Sequence, residues 1–142
     1  MYESILVPTD GSTLSDAAIK EAANLAKELH SKLVLFYAIH MEGLSPPIPI
    51  KERELTQKAM EDEAKQVLAS AAKNSNLARL TVEQMFAGSN WPYEAIIDAA
   101  KDFKCDLIVM ASHGRHGISG VLLGSETQKV LTHSKVPVLV VH

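Results

Sequence analysis

The sequence predicts a single α/β domain, residues 1–142, in which an open parallel sheet of five strands carries helices on both faces. Short apolar runs alternate with amphipathic stretches along the whole chain, in the order βαβαβαβαβ. The 142 residues, 46% hydrophobic and 22% charged, suffice for one buried core and are too few for two ordinary domains. Because βαβ crossovers are right-handed and cover the sheet with helices, the alternation indicates parallel strands.

The strands are predicted from apolar runs that end at turn residues. The first run is closed by Pro8, and the second is apolar throughout, as expected for strands buried on both faces. The third run alternates in part, which is typical of a strand nearer a sheet edge. The predicted strands are 5–7, 33–39, 80–87, 106–111 and 136–141.

Amphipathic stretches between these runs predict four helices. The second is the longest, about 51–74, with an apolar face that includes Leu55 and Ala59. Before it, residues 40–50 hold three prolines and are predicted to form a surface loop. Three helices have side chains suited to capping the first turn. These candidate caps are Ser12 or Thr13, then Asn90, and finally Ser125 with Gln128.

Composition and charge exclude several classes of function. The formal net charge is −3 and the basic residues are scattered, so we expect no nucleic-acid partner. No apolar run approaches the roughly 18 residues of a membrane span, and the first residues lack the features of a signal peptide. Cys105 is the single cysteine and is predicted to be a small core residue. We therefore expect a soluble cytoplasmic protein with no membrane partner.

The stretch from Met110 to Thr127 is the candidate functional centre. It joins the fourth strand to the fourth helix and contains four glycines, two histidines, one arginine and three serines. A glycine-rich turn of this kind offers bare backbone N–H groups to a phosphate or another anion. In a parallel sheet, ligands bind beyond the carboxyl ends of the strands, where this stretch and Pro8-Thr9-Asp10 both fall.

The spacing of this stretch excludes the common phosphate-binding motifs. Gly120 to Ser125 lacks the lysine and the spacing of a Walker A loop, and the first strand–helix turn lacks a dinucleotide fingerprint. Ala87-Gly88 stands where a receiver domain would place its acceptor aspartate. The segment 113–116 superficially resembles the nucleotidyl-transferase H-x-G-H, but its glycine is misplaced. Spacing alone predicts anion binding and no specific chemistry.

Both ends of the chain resemble the universal stress protein family. The segment I-L-V-P-T-D-G-S near the start matches its opening, and A-S-H-G-R-H-G-I-S-G-V-L-L-G-S-E-T matches its C-terminal signature. Nucleotide-binding members carry G-x2-G, nine residues, then G-[ST]. That register places Ala111 at the first glycine, Gly114 at the second and Gly124-Ser125 at the end.

The resemblance implies a Rossmann-like fold of the adenine nucleotide alpha hydrolase type, with strand order 3-2-1-4-5. It also implies that ATP or AMP binds at the strand ends, and that Asp10 lies near the ribose or a possible Mg²⁺. Residues at matching positions are Pro8, Thr9, Asp10, Ala38, Met110, Ala111, His113, Gly114, Gly124, Ser125 and Thr127. Arg115, His116, Gly117 and Glu126 complete the predicted site because they adjoin the phosphate positions.

Ala111 is the one departure from the family register. If this position required a left-handed backbone, the methyl group would cost roughly 1 kcal/mol or more; at an ordinary strand end the cost is near zero. The resemblance further implies a homodimer, and the apolar strand Val136–Val141, as an edge strand, would pair with a second copy.

No catalytic set is evident in the sequence. It has no Walker lysine, no paired carboxylates and no nucleophile with an aligned base. We therefore expect a stress-response sensor or regulator that binds adenine nucleotide and hydrolyses ATP slowly at most. Two alternatives stay open. One is a nucleotide-independent dimeric interaction module, signalled by Ala111. The other is a nucleotide-dependent transferase or pyrophosphatase of related fold.

Overall fold

The computed structural model describes residues 1–41, 48–114 and 122–142. Five parallel strands form one sheet in the order β3-β2-β1-β4-β5, as predicted. The elements are β1 (Ser4–Pro8), α1 (Thr13–Leu29), β2 (Lys32–His40), α2 (Ile50–Asn74), β3 (Val82–Ser89), α3 (Pro92–Asp102), β4 (Leu107–Ala111), α4 (Ser125–His133) and β5 (Val138–Val141). The predicted boundaries differ by a few residues, chiefly because β2 continues through His40 and β3 through Ser89.

The core consists of two layers, one on each face of the sheet. Ile5 and Val7 of β1 pack with α1 and α2, whereas Leu6 packs with α3 and α4. All three side chains are fully buried, which explains why the strand has no polar alternation. Cys105 belongs to the second layer, as predicted, and burial raises the pKa of its thiol because the charged thiolate is disfavoured in an apolar core.

Two predicted helix caps are wrong. The N-cap of α3 is Trp91, because Pro92 occupies the first helical position, where its missing N–H is not needed. Asn90 therefore stands one residue too early. Helix α4 begins at Ser125 itself, so its N-cap is Gly124. The Gln128 side chain donates to the carbonyl of Leu123 (2.8 Å) and forms no capping box with Ser125.

The apolar face of α2 is buried only in its second half. Ala64, Leu68 and Ala71 lie in the core, whereas Leu55 is 62% exposed and Ala59 is also exposed. With 25 residues, α2 is about 37 Å long, and the eight-residue strand β3 spans only about 27 Å. The first turns of α2 therefore project beyond the sheet. Within the described ranges, no helix combines the length and apolar character needed to cross a membrane.

Candidate functional site

The candidate site lies where the strand order reverses. From β1 the chain crosses to β2 on one side, and from β4 it crosses to β5 on the other. The turns that leave β1 and β4 are therefore adjacent at the carboxyl edge and diverge from each other. A crevice forms between such diverging turns, and ligands of open α/β sheets bind there.

The turn after β1 is held by its own polar side chains. Thr9 is 5% exposed, and its hydroxyl accepts from the N–H of Gly11 (3.2 Å) and contacts the hydroxyl of Ser15 (3.0 Å). Asp10 accepts from the N–H of Ser12 (2.9 Å), and Ser12 in turn caps α1 by accepting from the N–H of Ser15 (3.2 Å). These bonds fix the position of Asp10, which the sequence had placed at the site.

The turn after β4 is tied to both β5 and α4. The N–H of Ser112 donates to the carbonyl of Val141 (2.8 Å), and the carbonyl of Ser112 accepts from the N–H of Gly124 (2.7 Å). The hydroxyl of Thr127 donates to the carbonyl of Ala111 (3.0 Å). The end of β4 and the start of α4 therefore form one connected unit across the intervening segment. Nothing in the sequence pattern singled out Ser112, although it closes this unit.

Two glycines permit close approach within the site. A Cβ on Gly114 would lie 2.5 Å from Oδ2 of Asp10, so the β1 and β4 turns touch at this point. A Cβ on Gly124 would lie 3.1 Å from both Cα and Cβ of His113. Neither glycine has a positive φ, so both are needed for the space they leave and not for their backbone freedom.

Helix α4 starts without a side-chain cap. Among the described residues, no side chain accepts a hydrogen bond from its first N–H groups, and its N-cap Gly124 has none to offer. The first-turn N–H groups and the positive end of the helix dipole thus stand at the edge of the crevice. Such an end binds an anion with little further help.

Glu126 makes its contacts away from the crevice. Its Oε2 accepts from the N–H of Tyr93 (2.8 Å) in the first turn of α3, and its Oε1 pairs with Lys129 (3.4 Å). The carboxylate thereby caps α3 from a neighbouring helix, a role that a local capping motif could not reveal. Lys129 also lies over the ring of Trp91 (5.2 Å), which is half exposed and not a core residue.

The remaining predicted residues lie around the same edge or outside the described ranges. Met110 (6% exposed) and Ala111 (8%) end β4, beside the β1 turn. Ala38 lies within β2, paired with Ala87, and packs on the α3 face of the sheet. Ser125 is exposed at the start of α4 and Pro8 ends β1. Arg115, His116 and Gly117 lie outside the described residues.

The described ranges contain no group of three or more His, Cys, Asp or Glu side chains that could hold a metal ion. Asp10 is the only acidic residue in the described turns at the crevice, 9–12 and 112–114. One carboxylate suits Mg²⁺ only when a ligand supplies further oxygen atoms, as the phosphates of a nucleotide do. The carboxylate of Asp10 therefore suits a cation that enters together with a phosphate ligand.

Comparisons of the sequence and of the structure with known proteins lead to the same family. The profile of the Universal stress protein family matches residues 1–142. Universal stress protein MJ0531 of Methanocaldococcus jannaschii is 33% identical over 145 residues, covering 99% of this chain and 82% of that protein. The solved structure of protein MJ0577 superposes with a TM-score of 0.85 at 29% identity, covering 99% and 96% of the two chains. A universal stress protein in complex with cAMP superposes with a TM-score of 0.73 at 28% identity, covering 99% and 97%.

Proposed function

The chain belongs to the universal stress protein family, and from that premise we propose that its crevice between β1 and β4 binds an adenine nucleotide. The observation that carries the proposal is the uncapped start of α4 beside the ordered turn of Asp10. The relative that was solved with cAMP supports adenine nucleotide as the ligand class. ATP and AMP are the nucleotides proposed for this chain.

The phosphates would contact the backbone at the start of α4. Ser125 offers its N–H group there, since that of Gly124 already donates to the carbonyl of Ser112, and the exposed hydroxyl of Ser125 is a further donor. Thr127 is 3% exposed and its hydroxyl is already bonded to Ala111, so it would contribute through its backbone only. Arg115, His116 and Gly117 are retained as proposed contacts from the sequence. Glu126 would contribute through its backbone N–H only, because its carboxylate caps α3 and would repel phosphate.

The ribose would lie near Asp10, whose carboxylate accepts a hydrogen bond from the N–H of Ser12 and lies close to Gly114. Mg²⁺ would enter with the phosphates and use this same carboxylate, since no cluster of described residues would hold it alone. Ala38 and Met110 would provide the apolar side of the crevice. Within the described residues, no general base is aligned for hydrolysis, so we propose a cytoplasmic sensor or regulator with slow turnover at most.

The test begins with the purified protein. After denaturation, chromatography of the supernatant should reveal adenine nucleotide that has co-purified, and calorimetric titration should then measure Kd for ATP, AMP and cAMP. Gly124→Ala is the matched variant, because its Cβ would approach His113 to 3.1 Å and distort the start of α4. We expect at least tenfold weaker binding in that variant. The proposal is refuted if the native protein carries no nucleotide and binds none at millimolar concentration.

The homodimer, which the nucleotide-binding hypothesis and the alternative interaction module share, is supported by the edge strand β5. Among the described strands, β5 pairs only with β4, and Leu139 at its centre is 40% exposed. We propose that it pairs with β5 of a second copy across a two-fold axis. Sedimentation at micromolar concentration should show a dimer, and Leu139→Lys should give a monomer. A native monomer at that concentration would refute the pairing.

A further inference from the structure

A second cleft lies at the opposite end of the sheet, far from the proposed nucleotide crevice. It has a volume of about 600 Å³ and is formed where α1 ends and where the chain turns from α2 into β3. Its lining residues are Lys27, His30, Ser31, Asn76, Ala78, Arg79, Leu80 and Thr81. Sites for small molecules usually span about 300–1,000 Å³, so the cleft is large enough for one.

The ionisable groups that line this cleft are all basic. Lys27, His30 and Arg79 carry basic groups, and no lining residue is acidic. Across the described part of the chain, the side chains of His30 and Arg79 form no hydrogen bond or ion pair. Lys27 donates only to the carbonyl of Asn76 (3.3 Å). The basic groups are thus assembled without any protein carboxylate to neutralise them.

Helix capping does not account for these side chains. The carbonyl of Ala26 at the end of α1 accepts from the backbone N–H groups of His30 and Ser31, and that of Ala71 at the end of α2 accepts from the N–H of Ser75. Lys27 and His30 lie at the C-terminal end of α1, where the helix dipole favours basic side chains. Arg79 belongs to no helix, so a helix dipole does not account for its place in the cleft.

Arg79 has a left-handed backbone in the turn that leads from α2 to β3. The N–H of Leu80 donates to the carbonyl of Leu77 (3.1 Å), and within this tight turn Arg79 has φ of 69°. Glycine or asparagine adopts that left-handed conformation readily, and arginine adopts it at a cost. Left-handed residues other than glycine often occur at binding sites, and at Arg79 this conformation coincides with the basic lining of the cleft.

We propose that this cleft binds a small, multiply charged anion of the phosphate class. The guanidinium of Arg79 offers a planar pair of donors that suits phosphate oxygens, and Lys27 and His30 supply further donors on the other side of the cleft. Two sources share this chemistry, an inorganic polyphosphate chain and the phosphate tail of a nucleotide. The site is independent of the crevice at the carboxyl ends of the strands.

Inorganic tripolyphosphate, titrated at low salt into the isotopically labelled full-length protein, is the probe. We expect amide shifts at 76–81 and at His30, separate from any at 124–127. Arg79→Gly removes the charge and relieves the turn, so the shifts at 76–81 should weaken at least tenfold in apparent affinity. Its Tm should nevertheless rise by a few degrees. A parallel titration with ATP shows whether a nucleotide tail serves as well as the inorganic chain.

Lys104→Gly is the matched control, since Lys104 is also left-handed (φ 52°) and basic but lies outside the cleft. It should also raise Tm while leaving the binding of tripolyphosphate unchanged. Binding that persists in Arg79→Gly, that weakens equally in Lys104→Gly, or that is confined to 124–127 would overturn the proposal. The absence of any shift at 76–81 would overturn it as well. None of these outcomes depends on whether the other crevice binds adenine nucleotide.

Discussion

Ala111→Gly restores the glycine of the family register and is the most informative substitution in the proposed nucleotide site. Ala111 is 8% exposed, pairs with Val141 at the end of β4 and has no positive φ. Removing its methyl group costs about 0.8 kcal/mol of burial, and glycine in a strand costs a further 0.5–1 kcal/mol or so. We therefore expect the free energy of unfolding to fall by about 1–2 kcal/mol, measured by denaturant titration.

The same substitution should leave nucleotide affinity almost unchanged. Because the backbone at Ala111 is already that of an ordinary strand, glycine relieves no strain on binding. Calorimetry of the native protein and the variant should give Kd values for ATP within about threefold of each other. A tenfold gain, about 1.4 kcal/mol, would contradict this reasoning. Binding that appears only in the variant would favour the interaction module instead.

Gly114→Ala is the control. It replaces the second glycine of the motif by alanine, whereas Ala111→Gly restores the first. Its new Cβ would stand 2.5 Å from Oδ2 of Asp10, which must rotate away and weaken its bond to the N–H of Ser12. We expect at least tenfold weaker nucleotide binding. If Gly114→Ala binds as tightly as the native protein, Asp10 does not contact the ligand in the position described here.

Three further substitutions or reactions test other parts of the structure. Ser12→Ala removes the acceptor for the N–H of Ser15 and should lower the free energy of unfolding by about 1 kcal/mol in denaturant titration. Glu126→Ala should cost about 1–2 kcal/mol through Tyr93 at the start of α3, with an unchanged calorimetric Kd for ATP; a weakened Kd would reinstate it as a ligand contact. Cys105 should resist a thiol reagent at pH 8 until the protein unfolds, because burial raises the pKa of its thiol. The neutral buried thiol contributes to the free energy of unfolding below the ordinary thiol pKa, and this contribution is lost as the pH rises above that pKa.

The fold was predictable because its strongest signals are local. The apolar runs of β1, β2 and β4 are buried on both faces, so burial and sequence pattern coincide. The exact strand order came from the family resemblance and is confirmed by the pairing. The bounds of α2 were predicted to within one residue, but its buried face was predicted to be too long, because periodicity cannot show where a helix extends beyond its sheet. Leu55 fits the pattern and yet stands in solvent.

The candidate site was predictable in its location and less so in its contacts. Asp10 and Gly114 were both predicted, but their contact depends on two turns 104 residues apart in the sequence, and no pattern encodes it. Glu126 shows the converse. Its place in the first turn of α4 suggested a phosphate neighbour, whereas tertiary packing commits its carboxylate to α3. Side chains that satisfy a neighbouring helix cannot be recognised from their own helix alone.

The four helix starts give the strongest physical argument for where an anion would bind. Helix α1 is capped by Ser12, and α3 by Glu126 from its neighbour. Helix α2 has no side-chain cap, but it starts at Ile50, which is 73% exposed, so water can satisfy its N–H groups. Among the described residues, helix α4 alone joins an uncapped start to contact with the turns of β1 and β4: Ser125 is exposed, but Gly124 and Glu126 are half-buried and Thr127 is buried. Because an unsatisfied N–H group is costly where water is scarce, this start is better stabilised by an anion than by solvent, and a nucleotide phosphate would meet that need.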